Sequence, residues 1–169
     1  MLKLIKNLSL FFEDCYRRVG VREYSKIIGI SPPTASKMLK DYEKEGLLIK
    51  EKNRSYLLFY ANQKNKVFLI LSRLYWEHQL NELTNLLDKE LISPTIILFG
   101  SLSKAETKKD SDIDLTVLAH KKDLDTRKFE KNLNRKVQIF WFKTISDIKD
   151  KEFKTSVANG YLLKGRIKF

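Results

Sequence analysis

Cysteine, histidine, proline and glycine are all scarce in this chain of 169 residues, which holds one Cys, two His, three Pro and six Gly. A lone Cys15 allows no internal disulfide. His78 and His120 stand isolated, with no Cys or His partner at zinc-ligand spacing, and read as surface or helix-face residues. No apolar run approaches the roughly 18 residues needed to cross a bilayer. The opening MLKLIKNLSLFFEDCYRR meets Glu13 and Asp14 with no small-residue cleavage site, so no signal peptide is expected. Repeats and low-complexity tracts are also missing. A cytoplasmic protein without a membrane segment is the expectation.

What is abundant is positive charge. The formal net charge is +12, with 43% hydrophobic and 32% charged residues. Residues 1–62 hold 12 basic and 7 acidic side chains, 63–91 hold 4 of each, and 92–169 hold 17 and 10. The excess therefore sits in both halves and not between them. Such surfaces suit a polyanion, nucleic acid or nucleotide, although a lysine-rich solubilising surface has the same composition.

Periodicity predicts a helix over 2–18, with Leu2, Ile5, Leu8, Phe11 and Phe12 on one side. A second helix, 21–28, ends at Gly29, which tolerates the positive φ of a helix stop. Ser31 can cap a third helix with Pro32 in its first turn, and Ala35, Met38, Leu39 and Tyr42 form its inner face up to Gly46. Strands 47–50 and 55–60 follow, joined by a turn at 51–54. This order resembles the winged-helix regulators of bacteria and archaea. The resemblance implies a winged helix-turn-helix domain over 1–62, mostly α with a small β-hairpin. It would dock on double-stranded DNA with Pro33, Thr34, Ser36, Lys37 and Lys40 of the outer helix face and with Lys52 and Arg54 at the wing tip.

Residues 63–91 read as one long linker helix. Trp76, Leu80, Leu83 and Leu87 step by four and three, either as a core-facing seam or as the face of a homodimer. Ser93-Pro94 breaks this helix and opens a third segment, 92–169. There the pattern predicts strand 95–99, a short helix, strand 113–118, helix 124–134, strand 137–142, helix 144–158 and a final strand near 161–168. This is an α/β domain on a mixed sheet.

Within it, FGSLSKAETKKDSDIDLTVL places Asp112 and Asp114 two residues apart at the start of a strand. Alternation along a strand points both to one side. Bare carboxylates so placed repel, and a divalent cation, Mg²⁺ or Mn²⁺, offsets that repulsion. Gly100 lets backbone approach a ligand, and Ser101 offers an N–H and a hydroxyl to phosphate. Lys104, Lys108 and Lys109 add positive charge.

These residues resemble the minimal nucleotidyltransferases of the DNA polymerase β superfamily, whose signature is an apolar residue and Gly-Ser, a spacer of about ten, then Asp-apolar-Asp. The ending Ala158-Asn159-Gly160-Tyr161-Leu162-Leu163-Lys164-Gly165 is similar too. The resemblance implies that Gly100, Ser101, Lys104 and Ser111 hold the triphosphate of an NTP, and that Asp112 and Asp114 carry metal. The family's third carboxylate belongs mid-strand, where this chain has Gln138. An amide oxygen coordinates a hard cation weakly and cannot serve as a base. Asp110, Asp147 or Glu152 could compensate, though the sequence gives none of them the right position. The expected function is Mg–NTP binding with NMP transfer to an acceptor hydroxyl. The alternatives are a DNA-binding regulator whose degenerate transferase domain senses nucleotide, and an antitoxin to a helical RNase-like partner.

Overall fold

A computed structural model describes residues 1–54 and 56–167. Ser55, the expected first residue of the second hairpin strand, and Lys168, the expected last residue of the final strand, lie outside the described residues. The chain divides into two compact units, Met1–Ser72 with Ala105–Lys109, and Arg73–Lys104 with Asp110–Phe169. Among the described residues, no helix is long and apolar enough to cross a membrane.

In the first unit, helix α1 (Lys3–Glu13) buries Ile5, Leu8, Phe11 and Phe12. It ends before the expected bound at residue 18. Asp14 is extended, with φ −147°, and its carboxylate accepts the Tyr16 N–H at 3.0 Å, a local turn that competes with further helix. Strand β1 (Val19–Gly20) follows, then α2 (Val21–Ile28), closed by Gly29 at φ +73°. Helix α3 (Pro32–Lys44) starts at Ser31, whose hydroxyl accepts the Thr34 N–H at 3.4 Å, and it buries Ala35, Leu39 and Tyr42. The three helices meet around a polar link. Tyr24 donates to the Asn7 carbonyl at 3.1 Å, and the Asn7 amide donates to the Tyr42 hydroxyl at 3.4 Å.

Strands β2 (Leu48–Asn53) and β3 (Tyr56–Ala61) pair antiparallel out to Asn53 opposite Tyr56, so most of the expected 51–54 turn is strand. The two-residue β1 pairs with the other edge of β3, giving the order β1-β3-β2. The segment Ala105–Lys109 belongs to this unit. The Cys15 N–H donates to the Thr107 carbonyl at 2.8 Å, and the Gln63 amide donates to the Ala105 carbonyl at 3.0 Å. Burial pushes the Cys15 thiol up to about 11, so this cysteine is packing rather than chemistry.

Helix α4 (Lys66–Glu90) begins where the Asn65 carboxamide accepts the Val67 and Phe68 N–H groups at 2.8 and 3.0 Å. Trp76, Leu80, Leu83 and Leu87 are 0–2% exposed. That face packs within the chain, as the core-facing alternative expects.

The second unit holds a four-stranded sheet made of β4 (Thr95–Phe99), β5 (Ile113–Leu118), β6 (Val137–Phe142) and β7 (Tyr161–Lys164), in the order β6-β5-β4-β7. Only β5 and β6 run parallel, so the sheet is mixed. Helix α5 (Gly100–Ser103) follows β4, and α6 (Arg127–Leu133) connects β5 to β6. The expected helix over 144–158 is broken. Thr144 and Asp147 close a capping box around the single turn Ile145–Asp147, and α7 (Lys151–Ala158) restarts at Asp150, whose carboxylate accepts the Phe153 N–H at 2.7 Å.

Phe99, Ile97, Leu118, Ile145, Ile148 and Val157 form one core cluster, with Phe140, Phe142 and Phe153 packed on it. Gly160 lets the chain turn tightly from α7 into β7. A Cβ there would lie 2.7 Å from both Ile97 Cγ2 and the Leu98 carbonyl oxygen. Gly160→Ala should therefore cost about 1–3 kcal/mol of stability, as overpacking does, read as a lower urea midpoint at unchanged slope.

Candidate functional site

Strand register assembles the centre of the site. Asp114 pairs with Phe99 across the antiparallel β4–β5 ladder and with Gln138 across the parallel β5–β6 ladder. Residues directly paired share a sheet face. Asp114, Gln138, Phe99 and Phe140 therefore stand on one side, where Phe99 and Phe140 pack edge-on at 5.5 Å. Asp112 lies one residue before β5 and reaches the same face, since the Gln138 carboxamide donates to its Oδ2 at 2.5 Å.

Gly100 sits next to Asp114 for two reasons. Its φ of +70° strains any other L-residue, and a Cβ there would collide with the Asp114 carboxylate. The glycine thus makes room for the chain's own aspartate, a role that its sequence neighbours did not reveal. The turn after it is held from below. The Ser103 hydroxyl donates to the Gly100 carbonyl at 2.9 Å, and Arg73 Nε donates to the Ser103 carbonyl at 2.8 Å. Ser101 is half-buried and Lys104 exposed at the end of α5.

The approach to Asp112 is also fixed. Arg135 Nη1 donates to the Ser111 carbonyl at 2.6 Å while its guanidinium lies 5.1 Å over the Trp76 ring. Arg73, Ser103 and Arg135 are positioning residues absent from the sequence reading. Ser103 carried a faint signal, a hydroxyl three residues after the carbonyl it bonds. The arginines carried none, because their partners lie 24 or more residues away.

The electrostatics follow from this closeness. Asp114 is half-buried, and burial pushes its carboxyl above the ordinary value, with the Asp112 charge adding to the rise. Gln138 supplies an N–H where a third carboxylate would have added more repulsion. No group of three or more His, Cys, Asp or Glu able to hold a metal occurs among the described residues. Asp110, Asp147 and Glu152 therefore do not complete a carboxylate triad. Asp147 is committed to Thr144, whose backbone N–H and hydroxyl hold its carboxyl below the usual range. Lys108 lies 5.7 Å over the Tyr16 ring in the first unit, and Lys109 belongs to the same segment.

In the first unit, Pro33, Thr34, Lys37 and Lys40 are exposed on α3 and Ser36 is half-buried. Lys52 is exposed near the end of β2, and Arg54 at the tip has φ +53°.

The raised carboxyl gives a sign that can be tested. Between the ordinary value and the raised one, the folded protein binds more protons than the unfolded chain, so stability falls as pH rises through that window and stays lower above it. Asp114→Asn removes this cost. Its Tm at pH 7 without divalent metal should exceed that of the wild type, and the gap should shrink as pH falls to the ordinary carboxylate range. A Tm gap independent of pH would overturn the assignment.

No curated protein matches the chain. A Gly-Ser turn pressed against the start of a strand, where two carboxylates share one face, is the centre of the site. It falls inside residues 81–166, just over half of the chain, which match the model of the family described as Polymerase beta, Nucleotidyltransferase, and to that family the chain belongs.

Proposed function

We propose that the second unit binds one nucleoside triphosphate as its Mg²⁺ or Mn²⁺ complex, and that the first unit is a winged helix-turn-helix that docks on double-stranded DNA. The observation that carries the first part is the packing of Asp114 against Gly100, which puts two carboxylates beside a Gly-Ser turn. The donor set suits one hard cation. Asp112 and Asp114 would hold it, with substrate phosphates and water filling its remaining positions. Such an ion neutralises phosphate charge and relieves the strain between the two aspartates.

The residues allot the remaining chemistry unevenly. Gly100 and Ser101 would hold phosphate oxygens, and Arg73, Ser103 and Arg135 keep that frame rigid. No carboxylate stands at position 138 to draw a proton from an acceptor hydroxyl, and an amide has no basicity to replace it. The Gln138–Asp112 hydrogen bond favours a second reading on this point, a DNA-binding regulator whose degenerate transferase domain senses nucleotide without catalysis.

Label transfer from α-³²P NTPs with Mg²⁺ or Mn²⁺ separates the two. Acceptors would be the protein itself, tRNA, DNA ends and cell lysate. Gln138→Asp should raise transfer by about 10²–10⁴-fold, the usual contribution of a positioned base. Equal transfer by both proteins would make the wild type a full transferase. Absence of Mg²⁺-dependent NTP binding in the wild type would remove the nucleotide reading altogether.

The DNA part is supported by the exposed cations of α3 and the β2–β3 tip. Lys37→Ala with Arg54→Ala should weaken binding to random-sequence duplex and reduce the slope of log K against log salt by about one unit per lost phosphate contact. An unchanged slope would reject this placement.

A further inference from the structure

The sheet face that carries the carboxylates is also the face that α7 covers. Phe153 packs against Phe99, Phe140 and Phe142 with ring centroids 5.2–5.8 Å apart, and those three rings stand on the side of Asp114 and Gln138. Helix α7 thus flanks the candidate site, and its polar side lines a hollow of about 370 Å³ together with Lys104, the residue that ends the Gly-Ser turn.

The lining residues all carry polar side chains, although carbon atoms contribute most of the hollow's surface. Lys104, Lys151, Glu152, Thr155, Ser156 and Asn159 contribute two ammonium groups, one carboxylate, two hydroxyls and an amide, with no aromatic ring for a base to stack on. Thr155 donates its hydroxyl to the Lys151 carbonyl at 2.8 Å, and the Asn159 amide donates to the Thr155 carbonyl at 3.0 Å, so both serve the helix itself. Lys104, Lys151 and Ser156 are the donors left for a ligand. Neither ammonium has an ion-pair partner among the described residues. Two such ammoniums around one hollow, with Glu152 holding the net charge to +1, suit an anion that arrives already complexed with a cation.

We infer that this hollow receives the outer phosphates of the nucleotide's polyphosphate tail, with Lys151 and Ser156 of α7 gripping the end opposite the Gly100-Ser101 turn. The inference rests on the nucleotide reading of the site and adds to it a second wall. Discrimination between triphosphate and monophosphate then resides on α7, which the family motif does not include.

Calorimetric titration of the full chain tests this with Mg-tripolyphosphate, which needs no base, and with each of the four NTPs against its monophosphate. Lys151 is exposed, so Lys151→Gln should fold with the Tm of the wild type. The variant should bind tripolyphosphate and NTP about tenfold more weakly, the loss typical of one charge-assisted hydrogen bond, and keep its NMP affinity. Lys151→Arg should restore most of the loss. A variant that keeps the wild-type ratio of NTP to NMP affinity overturns the α7 assignment alone. A wild type that binds neither NTP nor tripolyphosphate with Mg²⁺ overturns the nucleotide reading and this inference with it.

Discussion

Two carboxylates held close on one side of a half-buried strand end are the constraint around which the second unit is arranged. Asp114 is forced there by register, since it pairs with Phe99 on one side and Gln138 on the other. Its own burial and the nearby charge of Asp112 both work against ionisation. Every neighbour answers that strain in some way. Gly100 gives up its side chain to make space, and Gln138 brings an N–H to Asp112.

Rigid elements hold this arrangement from both sides of the sheet edge. The phenylalanine cluster of β4, β6 and α7 lies beneath the carboxylates, so the site rests on packed rings and strand hydrogen bonds more than on loop conformation. The turn after β4 is tied by Ser103 and Arg73, and the entry to β5 by Arg135. A site so fixed keeps its carboxylates and its Gly-Ser turn in one arrangement.

Under the proposed nucleotide reading, Gln138 bears differently on binding and on turnover. A third carboxylate would deepen the repulsion in the absence of metal and supply a base in its presence. The amide relieves the first and forgoes the second. The same substitution that makes the pair of aspartates easier to keep together thus weakens the case for fast chemistry.

Local chemistry was legible in the sequence where neighbours along the chain decide the outcome. The apolar runs at 113–118 and 137–142 are strands at those bounds, Gly29 and Ser31 mark a helix end and a helix start, and the Gly-Ser and Asp-Ile-Asp motifs hold residues that the fold brings together. The sequence misled where a local hydrogen bond or a distant partner outweighed periodicity. Asp14 stops α1 early, Thr144 and Asp147 break the last helix into two, and β1 exists only because β3 pairs with it. Only the tertiary structure decided that Gly100 yields to Asp114, that Gln138 bonds Asp112, and that α7 shares the carboxylate face. Each of these depends on which strands lie side by side and in what register, and pairing of residues tens of positions apart leaves no periodic trace in the chain.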